Sequence, residues 1–109
     1  MRIWDIAPKK LCRQHLLGEH RELHAVWSIL TKNKCGYRNH PETQRWIGKL
    51  KALYMRHEKL VLEMKRRGYC HLTPLEYTKA IGVRIQKKFI DKPNRQVYIL
   101  RNKPCSCFR

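Results

Sequence analysis

The residues best equipped for chemistry lie in one stretch, Gln14-His15-Leu16-Leu17-Gly18-Glu19-His20-Arg21-Glu22-Leu23. Gln14, Gly18, Arg21 and Glu22 follow one another at intervals of four, three and one, and His15 stands seven before Glu22. On a helix those intervals gather the five on one polar side. Glu22 is the conspicuous member. The chain carries 25 Lys and Arg against 8 Asp and Glu, a formal net charge of +17. A carboxylate set among arginine and histidine opposes the field that would draw phosphate to such a surface. It can steady positive charge developing on a reacting group, or take up a proton. The same spacing also fits ordinary ion pairing, Glu22 with Arg21 or with a neighbouring turn. A different chemistry would use His15, Glu19 and His20 as ligands of a nuclease metal on a shared face, although no His-Glu-x-x-His pattern supports it.

These side chains need a long element to present them. Pro8 suits a first helical position, where its fixed backbone angle fits and its missing donor is not needed. Leu16, Leu23, Trp27 and Leu30 then recur at seven, four and three, which predicts an amphipathic helix over Pro8 to Leu30. Residues 31–40 have no period and carry breakers, so they read as a loop. Pro41 opens a second pattern in which Trp46, Leu50, Leu53, Leu60 and Met64 line one face and Ile47, Tyr54 and Val61 widen it, with Gly68 as the stop. Unbroken from Pro41 to Arg67, that helix would span roughly 40 Å. Thr73-Pro74-Leu75-Glu76 resembles a capping box and predicts a short helix through Ile81, ended by Gly82. Beyond Gly82, an extended stretch followed by a helix after Pro93 is expected. The reading is a compact all-α single domain over residues 1–109: two long helices and shorter C-terminal helical or extended segments.

At 109 residues the chain can build one modest core. Its charge density calls for a polyanionic partner, with nucleic acid the leading candidate. No window of about 18 apolar residues is present, and the start lacks the features of a secretory signal. A soluble, cytoplasmic monomer with no membrane partner is expected. The 5 cysteines, Cys12, Cys35, Cys70, Cys105 and Cys107, are odd in number and contain no Cys-x-x-Cys pair, so neither a disulfide framework nor a standard zinc spacing is supported. Cys105-Ser106-Cys107 with Cys70-His71 could meet at a metal after folding. No metal and no cofactor is the expectation.

The stretch from Gln14 to Leu23, with Met1-Arg2-Ile3-Trp4 before it, resembles the signature of the phage-type pyrimidine-dimer DNA glycosylases, historically called endonuclease V. That family pairs a basic second and an apolar third residue with a helix reading Gln-His-Leu-x-x-Glu-x-Arg-Glu-Leu. Every fixed letter is present here. The segment from Trp46 to Tyr69 looks like the family's second long helix, and nothing after Leu75 aligns. The resemblance implies a DNA repair glycosylase with associated AP lyase activity, acting on pyrimidine dimers or related damaged bases in duplex DNA. The α-amine of the terminal residue, here Met1, would attack the sugar and form an imine, assisted by Glu22. Arg2, Gln14, His15 and Arg21 fall on positions that approach DNA, and Glu19 matches an earlier, noncatalytic acid. An α-amine titrates near about 8, against about 10.4 for lysine, so a neutral fraction exists at physiological pH without burial. The chain departs from the pattern in placing Met1 where the phage enzymes present threonine, His24 where they carry proline, and Ala25 where they carry another arginine three residues after the glutamate. The reading from another class is a noncatalytic basic helical protein that binds DNA or RNA.

Overall fold

The computed structural model describes residues 2–70, 73–104 and 107. Met1, His71, Cys105 and Ser106, which figure in the expectations above, lie outside them. Among the described residues four α-helices carry the fold: α1 (Arg13–Thr31), α2 (Pro41–Gln44), α3 (Leu50–Arg66) and α4 (Pro93–Arg101). Short 3-10 turns occupy Pro8–Lys10 and Tyr77–Lys79. Among the described residues the extended backbone forms only an isolated antiparallel bridge, Lys49 with Gly82, so the architecture is all-α.

The core forms where α1 lies against α3. Leu16, Leu23, Val26 and Trp27 from α1 meet Leu53, Leu60 and Met64 from α3, and Ile3, Trp4, Ile6, Leu11, Trp46 and Leu100 close around them. The N-terminal segment is thus part of the core. Gly68 stops α3 as the sequence predicts. It takes φ +84°, Tyr69 N–H donates to the Met64 carbonyl and Gly68 N–H to that of Lys65, the two bonds of a Schellman ending.

Both long helices are interrupted where the sequence predicts continuity. The first runs from Pro8 only to Lys10, and then Leu11 and Cys12 are extended before α1 begins. Burial of Leu11 favours the break, and Arg67 collects the carbonyls it frees, donating from Nη2 to Leu11 at 2.6 Å and to Pro8 at 3.3 Å. The second pattern splits between α2 and α3. Gly48 turns the chain at φ +75°, and Ile47, expected to widen the buried face, is 51% exposed. The N–H groups of Lys51 and Ala52, unpartnered within a helix's first turn, donate instead to the carbonyls of Ile81 and Val83. The capping-box helix expected from Thr73 to Ile81 reduces to the turn at Tyr77–Lys79.

Gly82 ends no helix. It lets residues 81–83 approach the 48–52 turn: its φ is +93°, and a Cβ built on it would lie 2.3 Å from the Gly48 carbonyl oxygen. Gly82→Ala is therefore expected to cost at least about 2 kcal/mol, from the backbone strain and the clash together. Gly36→Ala, where a Cβ meets open space, is the control. Urea melts of the two variants showing equal stability would remove the close approach as the reason for this glycine.

Candidate active site

Residues 3–5 are held through their backbone. Ile3 N–H donates to Glu42 Oε1 at 2.7 Å, Trp4 N–H to Glu19 Oε1 at 3.0 Å, and Asp5 N–H to Gln96 Oε1 at 2.7 Å. The acceptors come from α2, α1 and α4, and all three residues are buried. A buried carboxylate needs a countercharge and further hydrogen bonds, and each has an arginine. Arg56 donates to Glu19 from Nε at 2.6 Å and from Nη2 at 3.0 Å. Arg45 donates to Glu42 from Nε at 2.9 Å and from Nη2 at 2.8 Å.

Arg45 does more than neutralise Glu42. Its Nη2 reaches the Ile3 carbonyl at 2.8 Å and Asp5 Oδ2 at 3.0 Å, and the guanidinium lies over the Trp46 ring at 4.7 Å. Burial works against its charge, but Glu42 and Asp5 together hold its pKa above the ordinary arginine value. Burial pushes the Glu19 carboxyl up from its usual range, and Arg56 and the Trp4 amide pull the other way.

His15, Glu19 and Glu22 stand at intervals of four and three on one face of α1. The first two touch the N-terminal segment: Glu19 through the Trp4 amide, and His15 by its ring, edge-on to Trp4 with centroids 5.8 Å apart. Glu22 is half-buried, and no hydrogen bond or ion pair engages it among the described residues. The helix salt bridge open to it in the sequence is not formed. Glu19, by contrast, is a buried structural anchor.

Arg2 is half-exposed, paired with Asp91 at 3.0 Å and stacked over Trp4 at 5.0 Å. Gln14 and Arg21 are exposed, and together with Cys12, Arg13, Leu17, Gly18 and Pro104 they line an open groove of about 860 Å³. Glu22 does not line it. His15 is turned towards sulfur, its Nδ1 3.1 Å from Cys12 Sγ and 3.2 Å from Cys107 Sγ. Burial, then the charge of Lys103, lowers its pKa. Contacts from Arg2 through Trp4 and His15 to Cys12 thus link the N-terminal segment to the groove. Met1 lies outside the described residues. The metal-ligand trio His15, Glu19 and His20 is not assembled: Glu19 is engaged by Arg56, His15 by the two cysteines, and His20 by His24 at 3.2 Å.

Glu42, Arg45, Arg56 and Gln96 are the residues that sequence reasoning missed. Glu42 and Arg45 are separated like a helix ion pair, but nothing in the sequence shows what they grip.

Comparison with known proteins gives one result. A family model described as pyrimidine dimer DNA glycosylase matches residues 1–77. No curated protein and no solved structure matches the chain. The match spans the gripped N-terminal segment, the helix carrying Gln14 to Glu22, and α3.

Proposed function

The chain belongs to the pyrimidine dimer DNA glycosylase family, and from that premise we propose that it excises a damaged pyrimidine through the α-amine of Met1 and then cuts the strand as an AP lyase. DNA is the substrate the family implies, and the excess of basic residues suits it. Among the described residues no helix is long and apolar enough to cross a membrane.

The observation that carries this reading is the anchoring of Trp4 on Glu19, one helical turn before Glu22. Extended residues advance about 3.3–3.6 Å each, so an amine three residues before Trp4 can lie about 10 Å from the anchor. A helical turn is about 5.4 Å. The terminal amine can therefore come within reach of the Glu22 carboxylate, which has no competing partner among the described residues.

In the proposed reaction the amine lone pair forms a bond to C1′ of the flipped nucleotide. The glycosylic electron pair leaves with the base, which takes up a proton. Glu22 stabilises the positive charge on the sugar. The ring C1′–O4′ bond then opens, O4′ gains a proton, and an imine to the terminal nitrogen results. Glu22 removes a proton from C2′, the electrons expel the 3′ phosphate oxygen, and the strand is cut by β-elimination. Water hydrolyses the imine and restores the amine. Arg2, Gln14, His15 and Arg21 are assigned to positioning DNA, Gln14 and Arg21 from the groove.

Borohydride reduction in the presence of duplex DNA carrying a pyrimidine dimer or an abasic site should trap a covalent adduct, and peptide mapping should place the sugar on Met1. An adduct confined to an internal lysine would refute the terminal amine. No adduct with either DNA, alongside salt-sensitive binding, would favour a noncatalytic nucleic-acid-binding protein.

A further inference from the structure

Three histidines from two helices converge on one point. His20 and His24, one turn apart on α1, and His57 on α3 bring their Nε2 atoms together: His24 Nε2 lies 3.2 Å from that of His20 and 3.1 Å from that of His57. All three offer ligand atoms within 4.8 Å of one another. His57 is fully buried, and its Nδ1 faces Glu58 Oε1 at 3.0 Å. That carboxylate holds the proton of neutral His57 on Nδ1 and leaves a lone pair on Nε2, aimed into the cluster.

Hydrogen bonding cannot satisfy both contacts of His24. Its Nε2 carries either one proton or one lone pair. With a lone pair it faces another on His57; with a proton it donates to one neighbour and not to the other. Protonating the cluster would crowd cations inside a chain of net charge +17. A metal ion accepts all three lone pairs at once. Tetrahedral ligands about 2.0–2.1 Å from zinc stand about 3.3–3.4 Å apart, close to the two separations at His24, and all three ligand atoms lie within 4.8 Å of one another. A pocket of about 470 Å³ lined by His20, His24, Leu17, Arg21 and Thr73 opens onto the cluster and gives an ion a way in.

We propose that His20, His24 and His57 bind a divalent transition metal, zinc by ligand type, which cross-links α1 to α3. His20 and His24 bracket Arg21 and Glu22 in the chain, so the ion would stiffen the backbone that presents Glu22. It takes no part in the imine chemistry. The spacing of the sequence does not show the site, because its third ligand stands 33 residues from His24.

A different observation carries a second site. His15 Nδ1 lies within 3.2 Å of both Cys12 Sγ and Cys107 Sγ, and Cys12 N–H donates to Cys107 Sγ at 3.1 Å. One imidazole nitrogen cannot exchange a proton with two thiols at once, whereas two thiolates and an imidazole are a zinc donor set, with the amide bond to sulfur supporting a thiolate. We infer that these three residues hold a second zinc ion, which ties the C-terminal segment to the start of α1.

Titration of the reduced, untagged, chelator-stripped chain with cobalt tests both. Uptake of two equivalents is expected, only one of them accompanied by thiolate-to-cobalt charge transfer. His24→Asn should lose the equivalent without that band, and Cys12→Ser the one with it. Saturation at a single equivalent with the band overturns the histidine site. Saturation at one without it overturns the cysteine site, and no uptake overturns both. The wild-type titration decides even if a variant fails to fold.

Discussion

Glu22→Gln is expected to bind lesion DNA with near wild-type affinity and to cut it at least about 100-fold more slowly. The substitution keeps the shape and removes the charge. Glu22 has no hydrogen bond or ion pair among the described residues, so the fold should not register the change, and stability should stay within about 0.5 kcal/mol. Glu19→Gln separates the two glutamates. Glu19 accepts from both Arg56 and the Trp4 amide, so its loss should appear first as lowered stability. Single-turnover cleavage of abasic and dimer duplexes, with binding by fluorescence anisotropy, measures the first variant. A Glu22→Gln protein that cleaves at the wild-type rate ends the assignment of this carboxylate.

Arg45→Met should be the most damaging substitution for the fold. Arg45 is 3% exposed and holds Glu42, Asp5 and the Ile3 carbonyl together. Removing the cation leaves the Glu42 carboxylate buried without its countercharge. Breaking a buried pair in this way costs about 3–5 kcal/mol, a large part of the roughly 5–15 kcal/mol available to a domain. Adding Glu42→Gln should recover part of the loss, because the amide oxygen can still accept from Ile3 and the more deeply buried of the two carboxylates that Arg45 pairs is gone, leaving Asp5 alone without its cation. Denaturant unfolding of the single and double variants checks both statements. A loss under about 1 kcal/mol for Arg45→Met alone would show that the pair contributes little.

The helices were legible where local chemistry decides. Pro41 and Pro93 start helices and Gly68 ends one, and Leu16, Leu23, Trp27, Leu53, Leu60 and Met64 are all buried as their spacing predicts. The breaks were not legible, because each is stabilised by a distant partner: Arg67 for the carbonyls around Leu11, and residues 81–83 for the start of α3. The site divides in the same way. Gln14 and Arg21 share a groove that their helical spacing allows. The grip on residues 3–5 joins groups 39, 15 and 91 residues apart, and the histidine cluster joins two helices. Contacts of that kind leave no periodic trace in a sequence.

The grip on Ile3, Trp4 and Asp5 acts on peptide N–H groups, which every residue but proline possesses. It is therefore indifferent to which side chain comes first and sensitive to how many residues precede it. Under the proposed mechanism the fold works as a ruler: one residue trimmed or added ahead of the grip changes the reach of the chain to the terminal nitrogen by up to about 3.3 Å while leaving the three hydrogen bonds untouched. Gln96, one of the ruler's fixed points, belongs to α4, beyond the residues matched by the family model. A residue outside the family match thus helps fix the backbone at Asp5.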